Sequence, residues 1–289
     1  VVKHEEHRFL IDCGEGTQRQ ILRSGLGFKR LNRVLLTHGH LDHILGLAGL
    51  LSTFMRWEAI EEIEIYGGRS ALDRVHDLLY GVVLRGIHPP IEVKLLEIRP
   101  GLIFDADDFT VTAFSVSHRG PDCFGYRFEE KSRRPFLPEK AEALDIPPGP
   151  WRRDMVAGKT VTMPDGRLIT PDQVLGPERP GTKFVVIGDT GRTNNIVEQV
   201  RGADALVIES TYLVDETEMA HRFGHLTATQ AAQLALDAEV KHLILTHLSR
   251  RYRERDILAE ARGIFPNSYV ARDFEAYQIR RDACEKVDN

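Results

Sequence analysis

The chain has 289 residues, 42% hydrophobic and 28% charged, with a net charge of −5. These values describe an ordinary globular chain, long enough for one large α/β domain or a domain carrying an insertion. The acidic balance speaks against a dedicated nucleic-acid coat, and no apolar run reaches the roughly 18 residues of a membrane span.

Val1 to Leu10 is charged and lacks the apolar core of a signal peptide. Cys13, Cys123 and Cys284 are odd in number and widely spaced, so no disulfide framework is expected and a reducing cytoplasm is the default compartment. Val1-Val2 and Arg8 to Asp12 flank His4-Glu5-Glu6-His7 and read as a hairpin. The His-Glu-Glu-His stretch lacks the HExxH metal spacing, and a turn is the better account. A helix is expected from Gly16 to Leu26, a strand from Val34 to Leu36 and a helix from Ile44 to Trp57. Then come strand Glu62 to Tyr66, helix Arg69 to Tyr80, and strands Val93 to Ile98, Leu102 to Phe104, Phe109 to Val116 and Cys123 to Phe128. This alternation is that of an α/β chain.

From Glu129 to Thr182 the pattern changes. Prolines recur (Pro135, Pro138, Pro147, Pro148, Pro150, Pro164, Pro171, Pro177, Pro180) and apolar periodicity fades, with one short helix expected over Glu139 to Leu144. The stretch reads as an inserted arm on a single domain spanning 1–289. Regular structure resumes with strand Phe184 to Gly188, helix Asn194 to Arg201, strand Ala205 to Ile208, helix Ala228 to Glu239 and strand His242 to Thr246. The tail carries a helix from Arg255 to Gly263 and strands near Ser268 and Ala276. Thr227 and Gln230 fit a capping box, which fixes the start of the helix behind His225. The basic clusters Lys131 to Arg134, Arg152-Arg153 and Arg250 to Arg255 read singly as solvated surface.

Several apolar runs end in a side chain able to bind metal or move a proton. Val34-Leu35-Leu36-Thr37 ends at His38, with His40, Asp42 and His43 just beyond. Phe114 to Ser117 ends at His118, Phe184 to Gly188 at Asp189, Leu206 to Ile208 at Glu209, and Leu243 to Thr246 at His247. Sites of α/β folds gather at such strand ends. Buried imidazoles and carboxylates are costly without partners, and a pair of divalent cations would supply them. With no cysteine in the set, the donors suit catalytic zinc, manganese or iron. His38 and His40, one residue apart in an extended segment, can point the same way, while Asp42 and His43 diverge. His76, His88, His221 and His242 have no such setting.

Thr37-His38-Gly39-His40-Leu41-Asp42-His43 resembles the HxHxDH signature of the metallo-β-lactamase fold. Asp12-Cys13-Gly14-Glu15-Gly16-Thr17-Gln18, Phe124-Gly125-Tyr126-Arg127, Ile146-Pro147-Pro148-Gly149-Pro150, Gly188-Asp189-Thr190, Glu209-Ser210-Thr211, His225-Leu226-Thr227 and Leu245-Thr246-His247-Leu248-Ser249 are similar to segments of short-form ribonuclease Z, the tRNA 3′-processing endonuclease. The resemblance covers nearly the whole chain. It implies an αββα sandwich of two mixed sheets flanked by helices, with the arm over 129–182 as a substrate-binding exosite. Family members begin with a further strand and a basic loop before the hairpin, so the first sheet is expected to lack an edge strand here. Ile208 stands where a histidine is usual.

Carried over by motif, the resemblance implies one metal held by His38, His40 and His118 and another by Asp42, His43 and His247, with Asp189 bridging. Zinc is the expected metal, with manganese or iron as alternatives. Asp42 would orient or deprotonate the attacking water, His225 would be the general acid, and Glu209 would hold its ring. Lys131, Arg133, Arg134 and Lys140 would contact phosphates of precursor tRNA, and the enzyme would be a cytoplasmic homodimer. Two rival readings remain at this stage. One is a hydrolase of the same fold acting on small phosphodiesters or sulfate esters. The other is a non-catalytic RNA-binding paralogue, which would be expected to have lost ligands.

Overall fold

Alternating side chains along short strands decide what each face of a sheet meets. A computed structural model, which describes residues 1–57 and 60–287, shows the outcome. The first sheet has the order β1 (Val2–His4), β2 (His7–Ile11), β3 (Arg33–Leu35), β4 (Glu62–Gly67), β5 (Glu92–Glu97). β1 and β2 form an antiparallel hairpin, and β2 to β5 pair in parallel. Next in the chain come β6 (Gly101–Asp105), β7 (Phe109–Ser115) and β8 (Phe124–Glu130), then the short pair β9 (Val161–Thr162) and β10 (Leu168–Ile169). β11 (Lys183–Ile187), β12 (Ala205–Glu209), β13 (Leu243–Thr246) and β14 (Ser268–Val270) complete a seven-stranded second sheet, ordered β14-β13-β12-β11-β8-β7-β6. β11 to β14 pair in parallel and β6 with β7 antiparallel, so both sheets are mixed. A hairpin of β15 (Ala276–Arg280) and β16 (Ala283–Val287) stands apart from both.

Layering follows from the alternation. Leu35 and Tyr66 of the first sheet pack with Phe109, Val111, Tyr126 and Val186 of the second, which makes the central core. Val34, Ile63 and Ile65 face the other way, onto Leu50, Phe54, Leu72 and Val75 of helices Gly46–Trp57 and Arg69–His76. Val185, Leu206, Ile208 and Leu245 likewise face Ala231, Ala235 and Ile257 of helices Ala228–Asp237 and Glu254–Arg262. Helix, sheet, sheet, helix is the expected αββα sandwich. A core leucine or phenylalanine contributes roughly 1.5–3 kcal/mol by burial, so these three clusters anchor the strands of the two sheets.

Some elements depart from the sequence reading. The helix read from Ile44 begins earlier, with a turn at Leu41–Ile44 that carries Asp42 and His43, before Gly46–Trp57. The helix read to Tyr80 continues as a π-helix over Asp77–Leu84. The helix read over Asn194 to Arg201 shrinks to Val197–Val200, because Thr193, Asn194 and Asn195 favour turns over helix interiors. A helix at Thr217–Phe223 was not read, since it buries only Ala220 and shows little apolar periodicity. The capping box at Thr227 is present, with the Gln230 N–H donating to Thr227 Oγ1 at 3.2 Å.

The chain divides into two compact units, Val1–Phe128 with Lys183–Asn289, and Glu129–Thr182. The second unit has its own small core of Met155, Val174, Met163, Ile169 and Leu175. Its prolines start helices rather than preclude them: Pro138 and Pro171 each open one, where a missing N–H costs nothing.

Two glycines let backbone meet backbone in the first unit. A Cβ on Gly14 would lie 2.1 Å from Asp42 O, and one on Gly46 would lie 2.0 Å from Gly14 O. The loop after β2 is thereby pressed against the turn that carries Asp42 and His43. Gly46→Ala is expected to destabilise the protein by about 1–3 kcal/mol through overpacking. In the same helix Gly49, whose Cβ would meet only Gln18 Cβ at 3.9 Å, should tolerate alanine or gain up to about 1 kcal/mol. Urea unfolding of the two variants checks the contrast.

Candidate active site

The ends of strands from both sheets feed one pocket. His38 follows β3, His118 follows β7, Asp189 follows β11, Glu209 closes β12 and His247 follows β13. His40 is extended (φ −68°, ψ 151°) and caps the turn Leu41–Ile44, which delivers Asp42 and His43 to the same side. His247 sits in the left-handed region at φ 54°, an uncommon conformation for a residue with a Cβ.

Asp189 is the centre. Its carboxylate is 4% exposed. Oδ2 lies 3.5 Å from His43 Nε2, 3.7 Å from His118 Nε2, 3.9 Å from His38 Nε2 and 4.0 Å from His225 Nδ1, and Oδ1 lies 3.5 Å from His247 Nε2. His40 Nδ1 lies 2.8 Å from His38 Nε2 and 3.3 Å from His118 Nε2. Asp42 Oδ2 lies 3.6 Å from His43 Nε2, with its side chain 70% exposed at the mouth. The ring nitrogens and carboxylate oxygens fall into sets within 4.8 Å of one another: His38, His40, His118 and Asp189; Asp42, His43 and His247; Asp189, His225 and His247.

Partners outside the pocket fix which ring nitrogens face it. His43 Nδ1 donates to Asp12 Oδ2 at 2.7 Å, and His118 Nδ1 donates to the Gly224 carbonyl at 2.7 Å. In the neutral rings the Nε2 lone pairs then point at Asp189. The second oxygen of that carboxylate, Oδ1, is buried without a hydrogen-bond partner. Lone pairs facing lone pairs around an unsatisfied carboxylate are the donor set of divalent cations, and the residues fit such ions.

The rings differ in how readily they take a proton. Burial, then the neighbouring His43, push the His38 pKa down to about 2. Burial likewise lowers His40 and His118. Burial also works against charge on His43, but the Asp12 and Asp189 carboxylates outweigh it and raise its pKa to about 10. Burial alone would raise Asp189, yet the His43 hydrogen bond and the surrounding imidazoles hold it well below the usual carboxylate range. A proton on His43 and a cation therefore compete for the place opposite Asp189.

Beside this cluster stands a second device. Glu209 is fully buried and accepts from His225 Nδ1 at 2.9 Å. Its other contacts are the Thr190 N–H at 2.8 Å, the Leu226 N–H at 3.1 Å and the Thr211 hydroxyl at 2.6 Å. Burial works against charge on His225, but Glu209 outweighs it and raises the pKa. The His225 ring stacks on His247 at 5.3 Å.

Asp12, Thr37 and Thr211 gained no role from the sequence. Asp12 accepts from the Thr37 N–H and hydroxyl, each at 2.7 Å, besides His43. It ends the run Arg8 to Ile11, so the strand-end signal that found the others was there to be read. His4 donates to Asp108 at 2.7 Å and His7 packs on Phe104, as suits a turn. Within the second unit, Arg134 bonds Asp172 and the Gly176 carbonyl, and Lys140 bonds the Leu175 carbonyl. Those two cations bond within their own unit, and Lys131, Arg133 and Lys140 are all exposed.

Comparison with known proteins places this geometry. Residues 1–132 match the family described as the metallo-beta-lactamase superfamily, and residues 173–248 match a beta-lactamase superfamily domain. A ribonuclease Z of Bradyrhizobium sp. (strain ORS 278) is 47% identical over 94% of this chain and 90% of its own length. A ribonuclease Z of Trichodesmium erythraeum is 42% identical over 94% and 86%. The crystal structure of the short form of human tRNase Z shares the fold, with a TM-score of 0.64 at 24% identity over 95% of this chain and 87% of that one. With such identity across nearly its whole length, the chain belongs to the ribonuclease Z family of the metallo-β-lactamase fold.

Proposed function

We propose that this protein is an endoribonuclease that removes the 3′ trailer from precursor tRNA, working with two zinc ions as a cytoplasmic homodimer. The observation that carries the reading is the Glu209–His225 pair, 2.9 Å apart, set beside the Asp189-centred histidines. A proton donor next to a cation site suits cleavage of a phosphodiester whose leaving group is an alkoxide. The names of the relatives, ribonuclease Z, supply the RNA substrate. No helix among the described residues is long and apolar enough to cross a membrane, which agrees with a cytoplasmic enzyme.

His38, His40 and His118 would hold one cation and Asp42, His43 and His247 the other, with Asp189 shared. When bound, such cations stabilise charge on phosphoryl oxygens and bring the pKa of water near neutrality. Two dications against the Asp42 and Asp189 carboxylates leave the pocket positive, which draws a phosphate anion. Asp42, exposed at the mouth, takes the proton of the attacking water. As the new O–P bond forms opposite the leaving oxygen, the bond from phosphorus to the ribose 3′-oxygen breaks. His225, kept charged by Glu209 through Nδ1, gives its Nε2 proton to that oxygen. The products are a tRNA 3′-hydroxyl and a trailer with a 5′-phosphate. The unit Glu129–Thr182 would grip the tRNA body, with Lys131, Arg133, Arg134 and Lys140 as phosphate contacts.

His225→Ala should keep both metals by elemental analysis and lose about 10²–10⁴-fold in precursor cleavage; an unchanged rate would remove the acid assignment. Glu209→Gln lowers the His225 pKa, so the alkaline fall of the pH–rate profile should move to lower pH. Asp189→Ala should lose metal, and retention of both ions would contradict the shared carboxylate. Replacing Glu129–Thr182 by a short Gly-Ser link should weaken cleavage of precursor tRNA far more than that of bis-p-nitrophenyl phosphate. Equal losses would count against a tRNA clamp.

A further inference from the structure

Two carboxylates in the site do more than hold one imidazole each. Glu209 receives four donors: the Thr190 N–H and His225 Nδ1 on Oε1, the Leu226 N–H and the Thr211 hydroxyl on Oε2. With four donors on its two oxygens, this carboxylate acts as an acceptor in every contact. The Thr211 hydroxyl has one hydrogen, and at 2.6 Å that hydrogen must lie between Oγ1 and Oε2, since two bare oxygens would repel at this distance. Thr211 Oγ1 is also 2.8 Å from His247 Nδ1. With its hydrogen committed, the hydroxyl can only accept there, so His247 must carry its proton on Nδ1. Its Nε2 is then a lone pair aimed at the pocket, 3.5 Å from Asp189 Oδ1.

The same logic repeats in the other half of the fold. Asp12 accepts from the Thr37 N–H, the Thr37 hydroxyl and His43 Nδ1. Thr37 Oγ1 donates to Asp12 Oδ2 at 2.7 Å and lies 3.0 Å from His38 Nδ1. His38 must therefore donate through Nδ1 and turn its Nε2 lone pair inward. Thr37 is 1% exposed and Thr211 9%, so water does not replace either hydroxyl freely.

We propose that Thr211 and Thr37 are positioning residues, each a one-hydrogen relay that makes a carboxylate set the tautomer of a histidine, His247 and His38 respectively, as a cation ligand. The relays extend the reach of Glu209 and Asp12, which directly hold His225 and His43. One carboxylate in each half thus fixes two imidazoles, one by contact and one through a hydroxyl. The inference rests on the proposed cation site, but what it assigns is the hydroxyls.

The test is a set of near-isosteric exchanges read by metal affinity. Thr211→Val and Thr37→Val remove the hydroxyl and keep the shape; Thr211→Ser and Thr37→Ser keep the hydroxyl. Zinc affinity is measured by competition with a chromophoric chelator. Each valine variant should bind one zinc on the order of 10- to 100-fold more weakly, and each serine variant should stay near the parent protein. Valine variants with parental affinity, or serine variants as weak as valine, overturn the assignment. If a valine variant fails to fold, the parent protein still decides: long-range ¹H–¹⁵N correlation spectra of ¹⁵N-histidine protein should show Nδ1–H rings for His38 and His247. An Nε2–H ring at either overturns its relay. A parent protein that binds no zinc overturns the proposed function and the relays with it, whereas zinc binding unaltered by valine overturns the relays alone.

Discussion

A carboxylate buried among imidazoles is the constraint on which the rest of this structure depends. Asp189 is 4% exposed and has ring nitrogens of five histidines within 4.0 Å. Such a cluster opposes folding, because burial of each polar group costs several kcal/mol unless it is compensated. His38 pays in basicity, and Oδ1 of Asp189 is left without a hydrogen bond. The fold must therefore hold these groups against their own preference. It does so from strand ends anchored in three hydrophobic clusters, so that relaxing the site would require unpacking a layer.

Rigidity reaches the side chains through the neighbouring loops. Three of the rings are gripped on one nitrogen by a group from another part of the chain: His43 by Asp12, His118 by Gly224, His225 by Glu209. These grips set direction as well as position, and direction is what a cation reads in a ligand. Gly14 and Gly46 serve the same end by letting the Asp12 loop lie against the helical turn of Asp42 and His43 without an intervening side chain.

Most of this architecture was legible in the sequence because it rests on short-range pattern. Apolar runs such as Val34 to Leu36 and Leu243 to Leu245 have one dominant reading, and the polar residue that stops each run marks where the pocket must be. What escaped notice depends on contacts between distant segments. Thr37 and Thr211 look like ordinary strand-end threonines, and only the folded chain brings Asp12 beneath His43. The π-helical continuation at Asp77–Leu84 and the helix Thr217–Phe223 were missed or misjudged for a related reason, since apolar periodicity is weak or irregular there and the surroundings decide the local form. In the unit Glu129–Thr182 the prolines masked a small core that Met155 and Val174 complete.

The carbonyl of Gly224 has a wider meaning. It accepts from His118, and the next residue in the chain is His225. A single peptide plane therefore joins the carbonyl that orients His118 to the residue whose ring Glu209 holds. Gly191 packs against the same spot, where a Cβ would lie 2.8 Å from Gly224 Cα. The spacing between His118 and His225 is thus written in main-chain geometry, which has no rotamers to choose from, so a change of side chain at either position leaves the gauge between them in place.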